Sequence, residues 1–283
     1  MKSKLVSIVI PVYNEEHFLD ACLKAIEAQT VKPLEVIVVD NNSTDNSVHV
    51  AKKYHFVKLL NEPRQGVVFA RNRGFNAAKG QIIGRIDGDT CINKNWVETV
   101  ENIFRDESVS AVSGGVYYYD VISSRLSYKF DLFFRKDLAL RLKNEVFLFG
   151  ANMAIRKELW QKIKNKTCLT SGIHEDLDLA IHAADAKAGV IFDEKLIVGV
   201  SLRRYEVSFK EFYNYIKITP YTYRFHNKKS ASKFNLMFVV LVLSYWVILF
   251  IHLIYDPNTS RISLQRLFKY KRESRVDPTS FSG

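Results

Sequence analysis

The sequence predicts an α/β fold with a mostly parallel central sheet, and two observations carry that prediction. Over the first 120 residues, short apolar runs alternate with segments of helical periodicity. The residues that follow those runs are polar and mostly acidic: Tyr13-Asn14-Glu15, Asp40-Asn41-Asn42-Ser43-Thr44-Asp45 and Asp87-Gly88-Asp89. A sheet of alternating strands and helices is parallel and covered on both faces. Its ligands bind beyond the carboxyl ends of the strands, so the three clusters are expected to meet at one rim.

The elements follow in order. Leu5–Val12 (LVSIVIPV) suits a buried strand. Asn14 and Glu15 open a helix with Leu19, Cys22, Leu23 and Ile26 on one stripe. Leu34–Val39 is a second strand; Ser43 or Asp45 can cap the helix after it, which runs to about Tyr54. Phe56–Leu60 is a third strand, Gly66–Ala78 a helix, and Gln81–Ile86 a fourth strand.

Composition narrows the class. The chain has 283 residues, 47% of them hydrophobic and 25% charged, with a formal net charge of +11. This is ordinary globular usage, which excludes a disordered chain or a disulfide scaffold. Cys22, Cys91 and Cys168 are far apart and form no Cys-x-x-Cys, so neither a structural zinc site nor a disulfide framework is expected, and a reducing compartment is the default. No Gly-x-Gly-x-x-Gly or Gly-x-x-x-x-Gly-Lys-Ser/Thr follows a strand, against a dinucleotide or P-loop enzyme. His174 and His182 lie eight residues apart, a spacing of no recognised metal site, and read as structural or solvated.

The charge is uneven. Residues 203–233 carry a net +6 and residues 256–283 a net +3, leaving 1–202 nearly neutral. Between the basic blocks, Phe234–Tyr255 (FNLMFVVLVLSYWVILFIHLIY) has 22 residues and no charge. As a helix it would reach about 33 Å, against about 30 Å of bilayer hydrocarbon. A membrane-embedded helix is expected, most simply one span, with an in-plane helix left open. The opening MKSKLVSIVIPVYNEE breaks its apolar run at Pro11, too early for a signal peptide, so the region before the helix is expected to lie on the cytoplasmic side of the cytoplasmic membrane. The expected layout is a catalytic domain at 1–205 (halves 5–120 and 121–205), a basic, aromatic juxtamembrane segment at 206–233, the helix at 234–255 and a basic tail at 256–283. The basic residues flank an apolar span, so an anionic membrane surface is the expected partner and nucleic acid is not. Val121–Val146 interleaves Leu126, Phe130, Phe133, Phe134, Leu138 and Leu142 with basic residues. It reads either as a core-facing helix or as an interfacial one.

Asp87-Gly88-Asp89 puts two carboxylates on one turn after a buried strand, a donor set for a hard cation such as Mn²⁺ or Mg²⁺. The runs VSIVIPVYNEEHFLDACLKAIEAQT, EVIVVDNNSTDNS and VVFARNRGFNAAKGQIIGRIDGDT resemble the nucleotide-sugar-binding half of family 2 glycosyltransferases with the GT-A fold. FGANMAIRKELW and GIHEDLDLAIHAADAKAG resemble the family's acceptor-side segment and its Glu-Asp motif, so the likeness covers roughly residues 5–205.

The resemblance implies roles. Pro11, Tyr13, Glu15 and Asn42 would line the nucleotide pocket, Asp40 would bond the base, and Arg71 would support the pocket or the diphosphate. Asp87 would contact the ribose or the metal, and Asp89 would ligate it. Asp176 matches the general base and Glu175 its neighbour. Ser201-Leu202-Arg203-Arg204-Tyr205 stands where processive members carry Gln-x-x-Arg-Trp, a departure that implies transfer of one sugar. Arg203 or Arg204 either approaches the diphosphate or forms a cationic membrane-facing surface. The implied activity is a metal-dependent, inverting transfer from a nucleotide-sugar, by family habit a UDP-sugar, to a hydroxyl of a lipid-linked or cell-surface glycan acceptor. A polyprenyl-phosphate sugar transferase similar to dolichol-phosphate-mannose synthase is the alternative, and a catalytically silent membrane scaffold a further one.

Overall fold

Strand β1 (Val6–Val12) lies inside the parallel half of the sheet. It pairs in parallel with β2 (Glu35–Asp40) and with β4 (Ile82–Arg85), and β2 pairs in parallel with β3 (Val57–Asn61). Four further strands, β5 (Cys91–Ile92), β6 (Ala111–Tyr118), β7 (Met153–Arg156) and β8 (Val190–Val200), extend the sheet to eight in the order β3-β2-β1-β4-β7-β6-β8-β5. β7 is antiparallel to both β4 and β6, β6 and β8 are parallel, and β5 closes antiparallel on β8. The computed structural model describes residues 5–142, 147–228, 234–256, 261–262 and 264.

The period-two pattern of the strands builds two cores. Ile8, Ile10, Val12, Val36 and Val38 face one layer with Leu19, Cys22, Leu23 and Ile26 of α1 (Leu19–Glu27) and Trp96 of α4 (Trp96–Ile103). Val9, Ile37 and Val39 face the other, with Ala70 and Phe75 of α3 (Val67–Ala77), Trp160 of α6 (Lys157–Ile163) and Leu179 of α7 (Glu175–Asp185). The helix after β2 is shorter than expected: α2 spans Ser47–Lys52. Asp45 accepts from Ser47 N (2.9 Å), whereas Ser43 Oγ accepts from Asn14 N (3.1 Å) of the neighbouring loop.

Helix α5 (Ser124–Leu142) docks by polar groups. Ser127 Oγ and Asp131 Oδ2 accept from Tyr118 N and Val116 N, and Tyr128 donates to Glu194 O. Leu126, Phe130 and Phe133 are 67%, 51% and 69% exposed. This corrects the core-facing reading of this segment: the polar side meets the sheet and the apolar side faces out. The side chains of Phe134, Leu138 and Leu142, and residues 143–146, lie outside the described part.

After β8, a one-turn 3-10 helix (Arg203–Tyr205) leads to α8 (Phe209–Ile216) and α9 (Ile218–Phe225). Ser208 starts α8 with a reciprocal cap to Glu211. The uncharged segment then forms α10 (Phe234–Ile254). Its Tyr245 is fully buried against Tyr205 and Phe212 and donates to Val207 O (2.7 Å); Leu249 is buried beside it. The expectation of a membrane span is corrected here. Among the described residues, no helix is long and apolar enough to cross a membrane, and one side of α10 is engaged by the chain's own aromatic cluster. Beyond 261–262 and 264, the basic tail lies outside the described residues.

Candidate active site

The loops that leave β1 and β2 are stitched to each other. Asn14 and Asn42 take left-handed backbone (φ 54° and 65°), which Asn tolerates better than most residues. Asn14 Oδ1 accepts from Thr44 N (2.8 Å), Glu15 N donates to Ser47 Oγ (2.7 Å), and Glu16 N donates to Asp45 Oδ2 (3.0 Å). Asn41 extends the lattice to the third loop, donating to Glu62 O and Arg64 O and accepting from Gly66 N at the start of α3. Asn42 donates to Pro63 O (2.7 Å), and buried Asp40 accepts from Ser43 N (3.2 Å). Pro11 pairs with Val39 in the strand register, two residues before Tyr13.

The acidic rim meets Arg203. Its guanidinium lies 2.8 Å from Asp89 and 2.6 Å from Glu15, and its plane covers the Phe18 ring at 4.3 Å. Burial works against this charge, but Asp89 and Glu15 more than offset it and hold Arg203 protonated. Tyr119 donates to Asp89 O (3.1 Å), and Thr90 closes the Asp87 turn. Gly88 is required by proximity, since a Cβ there would meet Glu15 Cγ at 2.9 Å. Asp89 and Glu15 are nearly buried, whereas the Asp87 side chain is 42% exposed. The donors are all carboxylate oxygens, a set that fits a hard divalent cation. Asp89 and Glu15 are also the two groups here whose charge Arg203 neutralises. Arg204 points elsewhere, stacking over Tyr215 at 3.8 Å.

Behind the rim lies a buried triad that the sequence reading missed in part. Glu175 sits between Arg85 Nη1 (2.9 Å) and Arg71 Nη1 (3.2 Å). All three side chains are at most 8% exposed. Burial pushes the Glu175 carboxyl up while Arg85 and Arg71 pull it down. Arg85 also holds Asp87 Oδ1 at 3.0 Å, so one guanidinium joins the Asp87 turn to the first residue of α7. Gly150 makes room for it: a Cβ there would fall 1.3 Å from Arg85 Nη1. The Gly150 N–H meanwhile donates to Asp176 Oδ2 (2.9 Å), and Asp176 Oδ1 accepts from Leu177 N (2.8 Å). Asp176 is thus fixed at the helix N-terminus next to the Arg85 bridge. Arg85 was invisible because it ends an otherwise apolar buried strand; the arginine in Gly84-Arg85-Ile86-Asp87 is its only sequence signal. His174 packs edge-on to Tyr215. His182 lies further along α7, paired with buried Asp178 and only 13% exposed, so its solvated reading is corrected.

Residues 7–164 match the model of glycosyl transferase family 2, and the chain belongs to that family. It is 34% identical over 123 residues to the glycosyltransferase GlyG of Streptococcus pneumoniae, covering 42% of this chain and 41% of that one. It is 27% identical over 165 residues to the glycosyltransferase AglE of Haloferax volcanii, covering 56% and 54%. These alignments span about half or less of each relative. Among solved structures, the mannosyltransferase PcManGT of Pyrobaculum calidifontis, in complex with GDP-Man and Mn²⁺, superposes with TM-score 0.55 at 17% identity, covering 89% of this chain and 85% of that one. TarS 1–349 of S. aureus, in complex with UDP-GlcNAc, gives TM-score 0.53 at 17% identity, covering 77% and 65%. At such identities the likeness concerns the GT-A-like fold.

Proposed function

We propose that this chain transfers one sugar from a nucleotide-sugar to an acceptor hydroxyl with inversion at the anomeric carbon. The observation that carries the reading is the fixed Asp176 carboxylate beside the Arg85 bridge to the Asp87 turn. Each Asp176 oxygen accepts one backbone N–H and keeps a further lone pair for a proton. Asp176 takes the acceptor hydroxyl proton as that oxygen attacks the anomeric carbon; the bond from that carbon to the diphosphate breaks on the opposite face, and the nucleoside diphosphate leaves. The stitched loops after β1 and β2, with Asp40 and Asn42, frame the nucleotide. Asp89 and Asp87, with Glu15 beside them, would hold Mn²⁺ or Mg²⁺, which when bound supplies counter-charge to the leaving diphosphate. Arg203 is bound to the same carboxylates; were they to hold the cation, its guanidinium would be released to add its own charge beside the diphosphate.

The acceptor side is lipid-facing in this reading. The outward apolar residues of α5 and the exposed side of α10 (Leu243, Trp246, Val247, Phe250) form surfaces suited to a membrane interface on which a lipid-linked acceptor is presented. A panel of UDP- and GDP-sugars with the purified protein and Mn²⁺ or Mg²⁺, scored by nucleotide release and product mass, tests the activity. Absence of nucleotide release with every donor would overturn it.

A further inference from the structure

We propose that Cys168, Asp178, His182 and His226 form a zinc site that ties helix α7 to α9. Cys168 lies in the segment before α7, Asp178 and His182 are one turn apart on α7, and His226 follows the last residue of α9. Their ligating atoms (Cys168 Sγ, Asp178 Oδ1 and the two histidine ring nitrogens) all lie within 4.8 Å of one another. Asp178 Oδ1 is 3.0 Å from His226 Nε2 and 3.3 Å from His182 Nε2, and Cys168 Sγ is 3.9 Å from His226 Nε2. A tetrahedral zinc ion with bonds of about 2.0–2.3 Å has ligand-to-ligand edges of roughly 3.3–3.8 Å. The cluster is therefore close to coordination geometry without a large rearrangement.

The polar accounting points the same way. Asp178 is fully buried, and neither its Oδ1 nor His182 Nε2 makes a hydrogen bond despite their proximity. Such atoms are costly to leave unmatched. A common point in front of both satisfies them at once. The other Asp178 oxygen accepts from Cys168 N (3.0 Å), which orients the carboxylate and holds the cysteine in place. The two histidine rings stand at 88° with centroids 5.2 Å apart, edge against face. On zinc binding the Cys168 thiol loses its proton to solvent as the Zn–S bond forms. Thiolate and carboxylate then cancel the ion's charge in a nearly enclosed place. One sulfur, two imidazoles and one oxygen select zinc, whereas the all-carboxylate rim selects a hard cation, so the two sites are chemically distinct.

The spacing Cys-x9-Asp-x3-His-x43-His has no Cys-x-x-Cys element, which is why the sequence pattern argued against zinc. Asp178 lies two residues after Asp176, and His174 N donates to Thr222 Oγ1 of α9 (3.1 Å), so the site staples the helix start that carries Glu175 and Asp176. The site stands independently of catalysis; only its positioning of Asp176 rests on the function proposed above.

The test uses the full chain, stripped with a chelator, reloaded with one equivalent of zinc and desalted. One zinc per chain by elemental analysis, a raised melting temperature, and a thiolate-to-cobalt charge-transfer band on cobalt substitution are expected. Cys168→Ser and His226→Gln lose the retained zinc, and Cys168→Ser loses the band. Asp89→Asn keeps both, which separates this site from the catalytic rim. No retained zinc in the wild-type chain, or a cobalt spectrum unchanged in Cys168→Ser, overturns the proposal. If the variants fail to fold, the wild-type cobalt spectrum decides alone, because absence of a thiolate band rules the site out.

Discussion

Arg203 reaches from the 3-10 turn after β8 to place its guanidinium 2.8 Å from Asp89, the second carboxylate of the Asp-Gly-Asp turn. The same nitrogen lies 2.6 Å from Glu15 in the loop after β1, so one cation joins three distant parts of the chain. Removing one partner of a largely buried pair leaves the other charges uncompensated and costs about 3–5 kcal/mol. Arg203→Ala is therefore expected to unfold more readily than the wild type, with Mn²⁺ restoring part of the loss. The variant is also expected to bind Mn²⁺ more tightly in the absence of nucleotide, because a competing positive charge is gone. Thermal unfolding with and without Mn²⁺, and Mn²⁺ titration by electron paramagnetic resonance, check both. Equal Mn²⁺ affinity in the two proteins would separate Arg203 from the cation site.

Asp176 accepts two backbone N–H groups, so Asn keeps the outline of the side chain and one of these bonds, but it loses the other and with it the capacity to accept a proton as a carboxylate. A positioned base contributes about 10²–10⁴ in rate. Asp176→Asn is expected to lose turnover by that factor and to retain nucleotide binding by calorimetry. Turnover within a few fold of wild type would remove Asp176 from the role.

The first four strands were legible because runs such as Val6–Val12 and Glu35–Asp40 are long, β-branched and buried on both faces. The half of the sheet beyond β4 was not read. β7 is only four residues, and β8 meets β6 through an irregularity at Gly114/Gly115 that no local pattern announces. At the site, the acidic rim was readable because it directly follows the strands. Arg85, the Gly150 clearance and the cluster around Asp178 were not, since each depends on contacts between residues 26 to 90 positions apart or on side chains that read locally as core or helix surface. Tyr245 carries a hydroxyl in the middle of an otherwise apolar run, and nothing in the local sequence points to that hydroxyl's partner. It is the buried anchor that docks α10, a role set by its hydroxyl's distant partner Val207.

Gly150 carries a sharp steric prediction. A methyl group at this position would overlap Arg85, which is itself held by Glu175 and Asp87. Overpacking a filled interior costs about 1–3 kcal/mol. Gly150→Ala is expected to lower stability by that amount and to reduce turnover more than donor binding, because the displaced Arg85 frees the Asp87 turn from the start of α7. Chemical unfolding and separate kcat and KM values check this.

Asp45 links the two loops that frame the rim, and its carboxyl is held below the usual range. Burial works against the anion, but hydrogen bonds from Ser47 and Glu16 outweigh it. A carboxylate depressed in the folded state contributes stability above its unfolded pKa and loses it as pH falls through the folded value. Asp45→Asn is expected to cost about 1 kcal/mol near neutral pH. The gap from wild type should narrow steadily below about pH 4. Urea unfolding at a series of pH values reads this directly, and a gap that stays constant into acid would mean the charge is irrelevant.

The exposed side of α10 is the last feature that a soluble surface does not account for. Tyr245 and Leu249 are buried against α8 and the turn at Tyr205, while Leu243, Trp246, Val247 and Phe250 are each more than half exposed on other faces of the same helix. On α5, Leu126, Phe130 and Phe133 are exposed because the polar side of that helix bonds the sheet. Fully burying a large apolar side chain contributes about 1.5–3 kcal/mol, and each basic residue near an anionic surface adds about 1 kcal/mol. A few such contacts, with the exposed cations Lys210, Lys217 and Arg224 on the α8–α9 segment, are sufficient for reversible attachment. The full chain is expected to float with vesicles containing anionic lipid, less so at high salt. The double variant Leu243→Glu, Val247→Glu is expected to stay in the soluble fraction while donor hydrolysis in free solution is unchanged, because neither residue touches the rim. Equal flotation of the variant and the wild type would place membrane attachment elsewhere in the chain.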